Sequence, residues 1–542
     1  MSSTSLITIT TVTRIDVIVL GSGAAGLVAA LAAARDGARV VLLEKGDLIG
    51  GTTAYSSGVV WLPVHPLRAD LQGHDARAEA LRYLGALSHG MTRPERVEAF
   101  VDGSPDLVRW LHERTQVRLR VVEGFPDYHP EEPGGRCGGG RSLEPDLFEM
   151  GRLGVHADRL VGTPRRMLVA ETPTGGGSGI LPPEVVAQRQ QAGVEGLGRA
   201  LVGALLASCL EAGVEVRPRT RATVLTRRNG RVTGVRLADG EALAAARGVV
   251  LATGGFEQDR DLVRAFLRGP MSDPPGVATN TGDGLRMAMR VGAALENMRE
   301  AWWVPVTRLP EGDSYGGRGV HLVLRERTLP RSIMVNGQGR RFANEAANYN
   351  ALGGAFHQLD PTSFGYANQP CWLLLDQGFV DRYGGFGAPP GGPLPSTVRN
   401  CSDLAGLARM IDVPSDALEE TVDRWNRAVA AGRDGDFRRG ESAYDGWCGD
   451  QTRYPGPGAT LGPLDEPPFH AVPVVSSALG TSGGPTTGPD GEVLDVDGNV
   501  VEGLYAAGNV TAAPTGMVYG GAGGTLGPAL VMGMLAGRAA AR

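Results

Sequence analysis

The stretch from Asp16 to Glu44 constrains this chain most. "DVIVL" (Asp16–Leu20) is a short β-branched run of the kind that forms a buried strand. "GSGAAG" follows and places Gly21, Gly23 and Gly26 in a G-x-G-x-x-G pattern. "LVAALAAARDGA" then reads as an Ala-rich helix stopped at Gly37, and "RVVLLEK" as a second strand that reaches Glu44. Strand, glycine turn, helix, strand and acid in that order make a dinucleotide-binding βαβ unit. Gly21 makes the turn, Gly23 lets the backbone approach a pyrophosphate at the helix N-terminus, and Gly26 lets helix and strand pack closely. Glu44 is placed to accept hydrogen bonds from ribose hydroxyls.

The unit is followed by further small-residue loops. Gly50, Gly51, Thr52 and Thr53 form one, and Ser56, Ser57 and Gly58 another. "GVVLATGGF" (Gly248–Phe256) reads as a later strand ending in a glycine turn, and "GLYAAGN" (Gly503–Asn509) as one more. Nucleotide-type turns this far apart suggest one fold assembled from distant segments, and loops of this kind suit a long ligand with a bulky ring. Both features favour a flavin dinucleotide over NAD.

Composition removes other classes. At 542 residues more than one domain is expected, and 42% hydrophobic with 21% charged residues is ordinary for a globular chain. A net charge of −6 argues against nucleic acid as a partner. The 81 glycines follow no period, which excludes collagen and repeat architectures. The five cysteines (Cys137, Cys209, Cys371, Cys401, Cys448) include no C-x-x-C pair, so no metal site is expected and a reducing compartment is. Residues 1–14 lack the basic and apolar regions of a signal peptide and read as a lead-in. No apolar run of about 18 residues appears, so no membrane anchor is expected and the cytoplasm is the default.

The N-terminal unit, "TGDGLRMAMRVGA" (Thr281–Ala293), "GRRFANEA" (Gly339–Ala346) and "GLYAAGN" together resemble the fumarate reductase/3-ketosteroid dehydrogenase flavoproteins over nearly the whole chain. The resemblance implies an α/β fold: a discontinuous Rossmann-type FAD-binding domain with an inserted α+β cap. The expected division is 15–300 and 476–542 for the FAD domain and 301–475 for the cap. It implies non-covalent FAD, since no histidine stands in "TTAYSSG", where covalent relatives attach it. The implied cofactor set is Gly21, Ser22, Gly23, Ala25 and Gly26; Glu44 and Lys45; Gly51, Thr52, Thr53, Ser57 and Gly58. It continues with Thr223, Thr253 and Gly254, then Gly508, Asn509, Gly524, Thr525 and Leu526.

Carboxylate reducers of this superfamily carry His and Arg where this chain has Thr515 and Tyr519. A dianionic substrate would be left without its cations, and burying it unpaired is costly. A neutral carbonyl needs donors instead, and a phenol with a glycine amide supplies them. The pattern resembles the 3-ketosteroid Δ1-dehydrogenases. That resemblance assigns Tyr519 and the Gly523 N–H to a ketone oxygen, Tyr349 ("FANEAANY") to the base, and Tyr128 ("FPDYHP") to its partner. A hydrogen bond from Tyr128 is expected to favour the Tyr349 phenolate. The implied reaction is α-proton abstraction with β-hydride transfer to flavin N5, followed by reoxidation by an external acceptor such as a quinone or dye. One departure stands out: the family has Tyr-Pro-Gly-Pro-Gly at the keto loop, where this chain has Tyr-Gly-Gly-Ala-Gly at Tyr519–Gly523. The substrate is therefore left open among a 3-ketosteroid, a smaller cyclic ketone and a Δ4 position. A carboxylate reductase or a flavin protein without turnover are the remaining alternatives.

Other residues are read more plainly. "YPGPGATLGP" (Tyr454–Pro463) imitates the keto loop but runs into "LDEPP", which cannot start a helix, so it is read as a loop. Trp302 and Trp303 fit either a pocket wall or a domain-junction core. Arg340 and Arg341 are read as structural charges, Glu131 and Glu132 as a solvated loop, and His470 as near the flavin without a catalytic role. Residues 124–145 and 173–183, rich in Gly and Pro, are expected to be loops.

Overall fold

A computed structural model describes residues 14–309, 319–452 and 456–542. Its centre is a six-stranded sheet ordered Glu492–Leu494, Val500–Ala506, Gly248–Leu251, Val17–Leu20, Val40–Leu43, Glu215–Arg217. All neighbours are parallel except the first pair. Val17 stands opposite both Gly248 and Val40, so the glycine turns after Leu20 and after Leu251 open at the same edge. Parallel strands are covered on both faces, which is why three of the four inner ones read as unbroken apolar runs.

The covering helices explain the Ala and Gly content. Ala24–Arg35, buried over Ala24–Ala33, packs against the final helix Leu526–Ala540. The approach is so close that a Cβ added to Gly537 would lie 2.2 Å from the Ala29 carbonyl oxygen. Leu197–Glu211, the expected helix ending before Gly213, packs on the same first helix and shares its core cluster.

The cap is a second, antiparallel sheet ordered Val320–Leu322, Ala301–Arg308, Phe469–Thr481, Cys371–Asp376, Ser332–Asn336. The expected start at 301 coincides with its strand Ala301–Arg308. The expected end at 475 falls inside the 13-residue strand Phe469–Thr481. That strand leaves the cap and reaches the nucleotide domain, where Thr481 Oγ1 accepts from the Phe256 N–H at 3.2 Å. The predicted loop at 124–145 also needs correction: Gly139–Pro145 is a fully buried strand between Val60–Trp61 and Leu119–Glu123. The 173–183 segment contains a one-turn helix, Pro173–Gly175. Of the imitation keto loop, Tyr454 lies outside the described residues and Gly456–Ala459 forms a short helical turn. Residues 1–13 of the expected lead-in also lie outside them.

Candidate active site

A cavity of about 450 Å³ runs from the glycine turns of the parallel sheet to the underside of the cap. Gly21, Ser22, Gly23, Ala25, Glu44, Lys45, Gly51, Thr52, Thr53 and Ser57 line it, as do Thr253, Gly254, Gly508, Asn509, Thr525 and Leu526. Tyr128, Tyr349, Tyr519 and Gly523 line its cap side. Four expected cofactor residues stand off the lining. Gly26 packs behind the turn, where a Cβ would meet the Gly21 carbonyl oxygen at 1.9 Å. Gly58 abuts the Leu197–Gly198 backbone, and Gly524 abuts the Tyr519 ring. Thr223 turns its hydroxyl to the Arg236 carbonyl at 3.2 Å, while Arg221 and Ala222 line the cavity in its place. His470 is likewise displaced: it lies at the far end of the long strand and meets Gln377 at 3.2 Å.

The nucleotide end fits FAD. Gly21 has φ +104°, and a Cβ there would strike the Ala252 carbonyl oxygen at 2.3 Å, so the turn admits only glycine. The following helix starts with Gly23 at its cap, and its Ala24 N–H donates to Thr53 Oγ1 at 3.1 Å. A Cβ on Gly51 would sit 3.6 Å from Gly23 Cα, so the two glycines keep open a gap at the helix N-terminus, where a pyrophosphate is favoured. Glu44 is buried and already engaged: it accepts from Ser22 Oγ at 2.6 Å, and from the Ser22 and Gly46 N–H groups. This fixes its carboxylate at the cavity edge. Among the described residues, no histidine or cysteine lines the cavity.

Sequence reasoning missed the acid that neutralises this end. Asp283 accepts from Lys45 Nζ at 3.0 Å and from two Arg221 nitrogens at 2.9 and 3.0 Å, which hold its pKa below the ordinary value despite burial. Its signal was present in "TGDG", read only as a family marker. Asn280 also lines the cavity and donates to Thr52 Oγ1 at 3.1 Å.

At the cap end three tyrosines converge from segments over 150 residues apart in sequence. Ring centroids of Tyr128, Tyr349 and Tyr519 form a triangle: 5.4 Å for the stacked Tyr128–Tyr519 pair and 5.5 Å for the other two sides. The Tyr128 hydroxyl donates to the Tyr349 hydroxyl at 3.2 Å, and Thr525 Oγ1 donates to the Tyr519 hydroxyl at 3.0 Å. Tyr444, unmarked in the sequence, closes the back of the cluster 4.8 Å from Tyr128. Trp302 meets Tyr519 edge-on at 5.2 Å and donates to Asn509 Oδ1, so it braces the site from behind. Trp303 is core, packed on His357.

The keto loop is rigidly held. The Tyr128 N–H and the Tyr83 hydroxyl both donate to the Gly520 carbonyl, at 2.9 and 2.7 Å. The Gly523 carbonyl accepts from the Trp61 N–H at 3.1 Å. Gly523 itself has φ +96°, and a Cβ would meet the Val59 oxygen at 2.5 Å. Its own N–H donates to no protein acceptor among the described residues.

Burial dominates the electrostatics. Tyr128 and Tyr349 are pushed well above the ordinary phenol pKa, first by desolvation and then by neighbouring phenols; Tyr519 is raised by desolvation alone. This corrects the expectation that Tyr128 favours a Tyr349 phenolate: in the free cavity Tyr349 is a neutral phenol. The structural reading of Arg341 holds. It bridges Glu345 and Asp434 at 2.7 and 2.9 Å, while Arg340 makes an exposed contact to Glu420. Glu131 is exposed and caps the turn at Ser442 and Ala443.

Comparison with known proteins gives the family of the chain. Residues 16–526 match the FAD binding domain family. The chain is 41% identical to the 4-oxocyclohexanecarboxylate 2-dehydrogenase of Sinomonas cyclohexanicum, over 96% of this chain and 92% of that one. It is 37% identical to the 3-oxosteroid 1-dehydrogenase of Mycobacterium tuberculosis strain H37Rv, over 97% and 98%. The structure superposes on the 3-ketosteroid Δ1-dehydrogenase of Sterolibacterium denitrificans in complex with 1,4-androstadiene-3,17-dione with a TM-score of 0.86 at 32% identity, covering 97% and 99%. The chain belongs to the FAD binding domain family and, within it, to the FAD-dependent cyclic-ketone dehydrogenases that include the 3-oxosteroid 1-dehydrogenases.

Proposed function

We propose that this enzyme desaturates a ring ketone next to its carbonyl, with a 3-ketosteroid as the first substrate to consider. One observation carries the reading: a free Gly523 N–H and three phenols face one cavity that continues into the nucleotide cradle. The ketone oxygen accepts from the Tyr519 hydroxyl and the Gly523 N–H, which stabilises developing enolate charge and acidifies the adjacent C–H. Tyr349 acts in its ionised form: its phenolate oxygen takes the α-proton and becomes a neutral hydroxyl, in hydrogen-bond contact with the Tyr128 hydroxyl. The Gly21–Gly23, Glu44 and Gly51–Thr53 segments would hold FAD without a covalent link, and FAD there would supply the acceptor for the β-hydride. The product is the α,β-unsaturated ketone, and an external acceptor such as a quinone then removes the two electrons. The cytoplasm is the compartment we infer, on the strength of five unbridged cysteines. Among the described residues, no helix is long and apolar enough to cross a membrane.

A second substrate reading is a single ring bearing a carboxylate, favoured by the 41% identity to a dehydrogenase named for 4-oxocyclohexanecarboxylate. Incubating holoenzyme and dye separately with androst-4-ene-3,17-dione and with 4-oxocyclohexanecarboxylate, then weighing the products, tests both. Loss of two hydrogens from either supports desaturation and picks the substrate; intact ketone in both arms contradicts it.

A further inference from the structure

Charge is distributed unevenly along the cavity. Its two acids, Glu44 and Asp283, stand at the nucleotide end and are fully engaged, and Lys45 and Arg221 there are paired to Asp283. Toward the tyrosines no acid lines the wall among the described residues, and the wall is apolar: Val59, Phe125, Val169, Leu197, Leu324 and Leu479. One cation remains, Arg165. It lines the cavity, it is exposed, and its side chain makes no ion pair or hydrogen bond among the described residues.

Backbone contacts tie Arg165 to the tyrosine end. Its carbonyl accepts from the Gly196 N–H at 2.7 Å, and the next residue, Leu197, packs in the same cluster as Tyr128, Tyr349 and Tyr519. Thr172 and Thr174 line the same cavity, and of their hydroxyls that of Thr172 is already engaged. Thr172 donates to the Val169 carbonyl at 2.7 Å, and the Thr174 carbonyl accepts from Trp447, whose ring stacks on Phe125 at 5.2 Å. A ligand whose ketone sits at Tyr519 and Gly523 thus shares its cavity with an apolar wall and one unpaired guanidinium.

Resting on the desaturase reading above, we propose that Arg165, with Thr174, is an anion subsite that recognises a carboxylate on the ketone substrate at the end remote from its carbonyl. An arginine fork matches a carboxylate in two parallel hydrogen bonds, and a charged hydrogen bond of this kind is stronger than a neutral one. The subsite sets KM and leaves the chemical step to the tyrosines. The carboxylate has two sources, a single oxocyclohexane ring acid or a 3-ketosteroid acid with its carboxyl on the C17 side chain, and the reach of the subsite separates them.

The test uses FAD-loaded wild type, Arg165→Gln and Arg165→Lys with a dye acceptor. The substrates are 4-oxocyclohexanecarboxylate, a 3-ketosteroid C17 side-chain acid, and the methyl ester of each. Arg165 is exposed, so the variants keep the fold, which FAD content verifies. Wild type is expected to prefer one acid over its ester. Arg165→Gln raises KM for that acid by about tenfold, the size of one charged hydrogen bond, with kcat and both esters unchanged, and Arg165→Lys recovers part of the loss. Which acid responds identifies the source. Equal handling of acid and ester by wild type, or an equal response of both to Arg165→Gln, overturns the subsite and leaves desaturation standing. Absence of turnover with all four ketones counts against the desaturase reading itself, and the subsite falls with it.

Discussion

On the proposed mechanism, Tyr519 is the residue that decides between chemistries. Its phenol is buried, braced by Trp302 and bonded to Thr525. Replacing it with Phe removes one of two donors to the ketone oxygen; kcat is expected to fall by roughly 10²–10³, the cost of one such donor, with FAD content unchanged by absorbance. The base makes a second demand. An ordinary phenol at pH 8 is only about one part in a hundred ionised, and burial drives Tyr349 further toward the neutral form. Activity that needs Tyr349 as a proton acceptor therefore rises with pH. A plot of log kcat/KM is expected to climb through pH 7–9 with no plateau, and a flat profile there speaks against a phenol base.

At the scale of elements, the glycine turns and the helices they open were legible because strand, turn and helix are adjacent in sequence. Each step there has a local cause: β-branched residues, then glycines, then alanines. Thr223 was misplaced because a meander's alternation hides which of two neighbouring residues faces in, and Ala222 carries no polar marker. The strand Gly139–Pro145 was missed since its Gly-rich start looks like a turn, although burial against Val60–Trp61 overrides it. The packing of the first helix on the last was invisible, because it joins segments nearly the whole chain apart. It makes its own prediction: Gly537→Val places side-chain atoms against the Ala29 backbone, which cannot yield as a side chain can. A loss of about 3 kcal/mol is expected, read as a lower denaturant midpoint and faster release of FAD.

The molecule as a whole brings a nucleotide sheet and a cap sheet together around one cavity, and the long strand Phe469–Thr481 belongs to the joint rather than to either side. The sequence located most of the cradle through its motifs and the tyrosines through family resemblance. Tyr444, Asp283's pairing and Arg165 needed three dimensions, since nothing local distinguishes them. The joint also buries four phenols, Tyr128, Tyr349, Tyr444 and Tyr519, all with raised pKa. Their contribution to stability is complete below about pH 10, the unfolded phenol value. It is lost as pH rises toward their folded values, because the unfolded chain ionises first. The melting temperature is expected to hold steady from pH 8 to 9.5 and drop beyond pH 10, and Tyr444→Phe to soften that drop.

The most direct test of the central claim is anaerobic titration of the yellow holoenzyme with a ring ketone, androst-4-ene-3,17-dione first and 4-oxocyclohexanecarboxylate second, in wild type and Tyr349→Phe. Desaturation with Tyr349 as base predicts that flavin absorbance bleaches on mixing in wild type and fails to bleach in the variant, with FAD content equal in both. Unchanged absorbance in wild type with both ketones, or bleaching at the same rate in the variant, would contradict it.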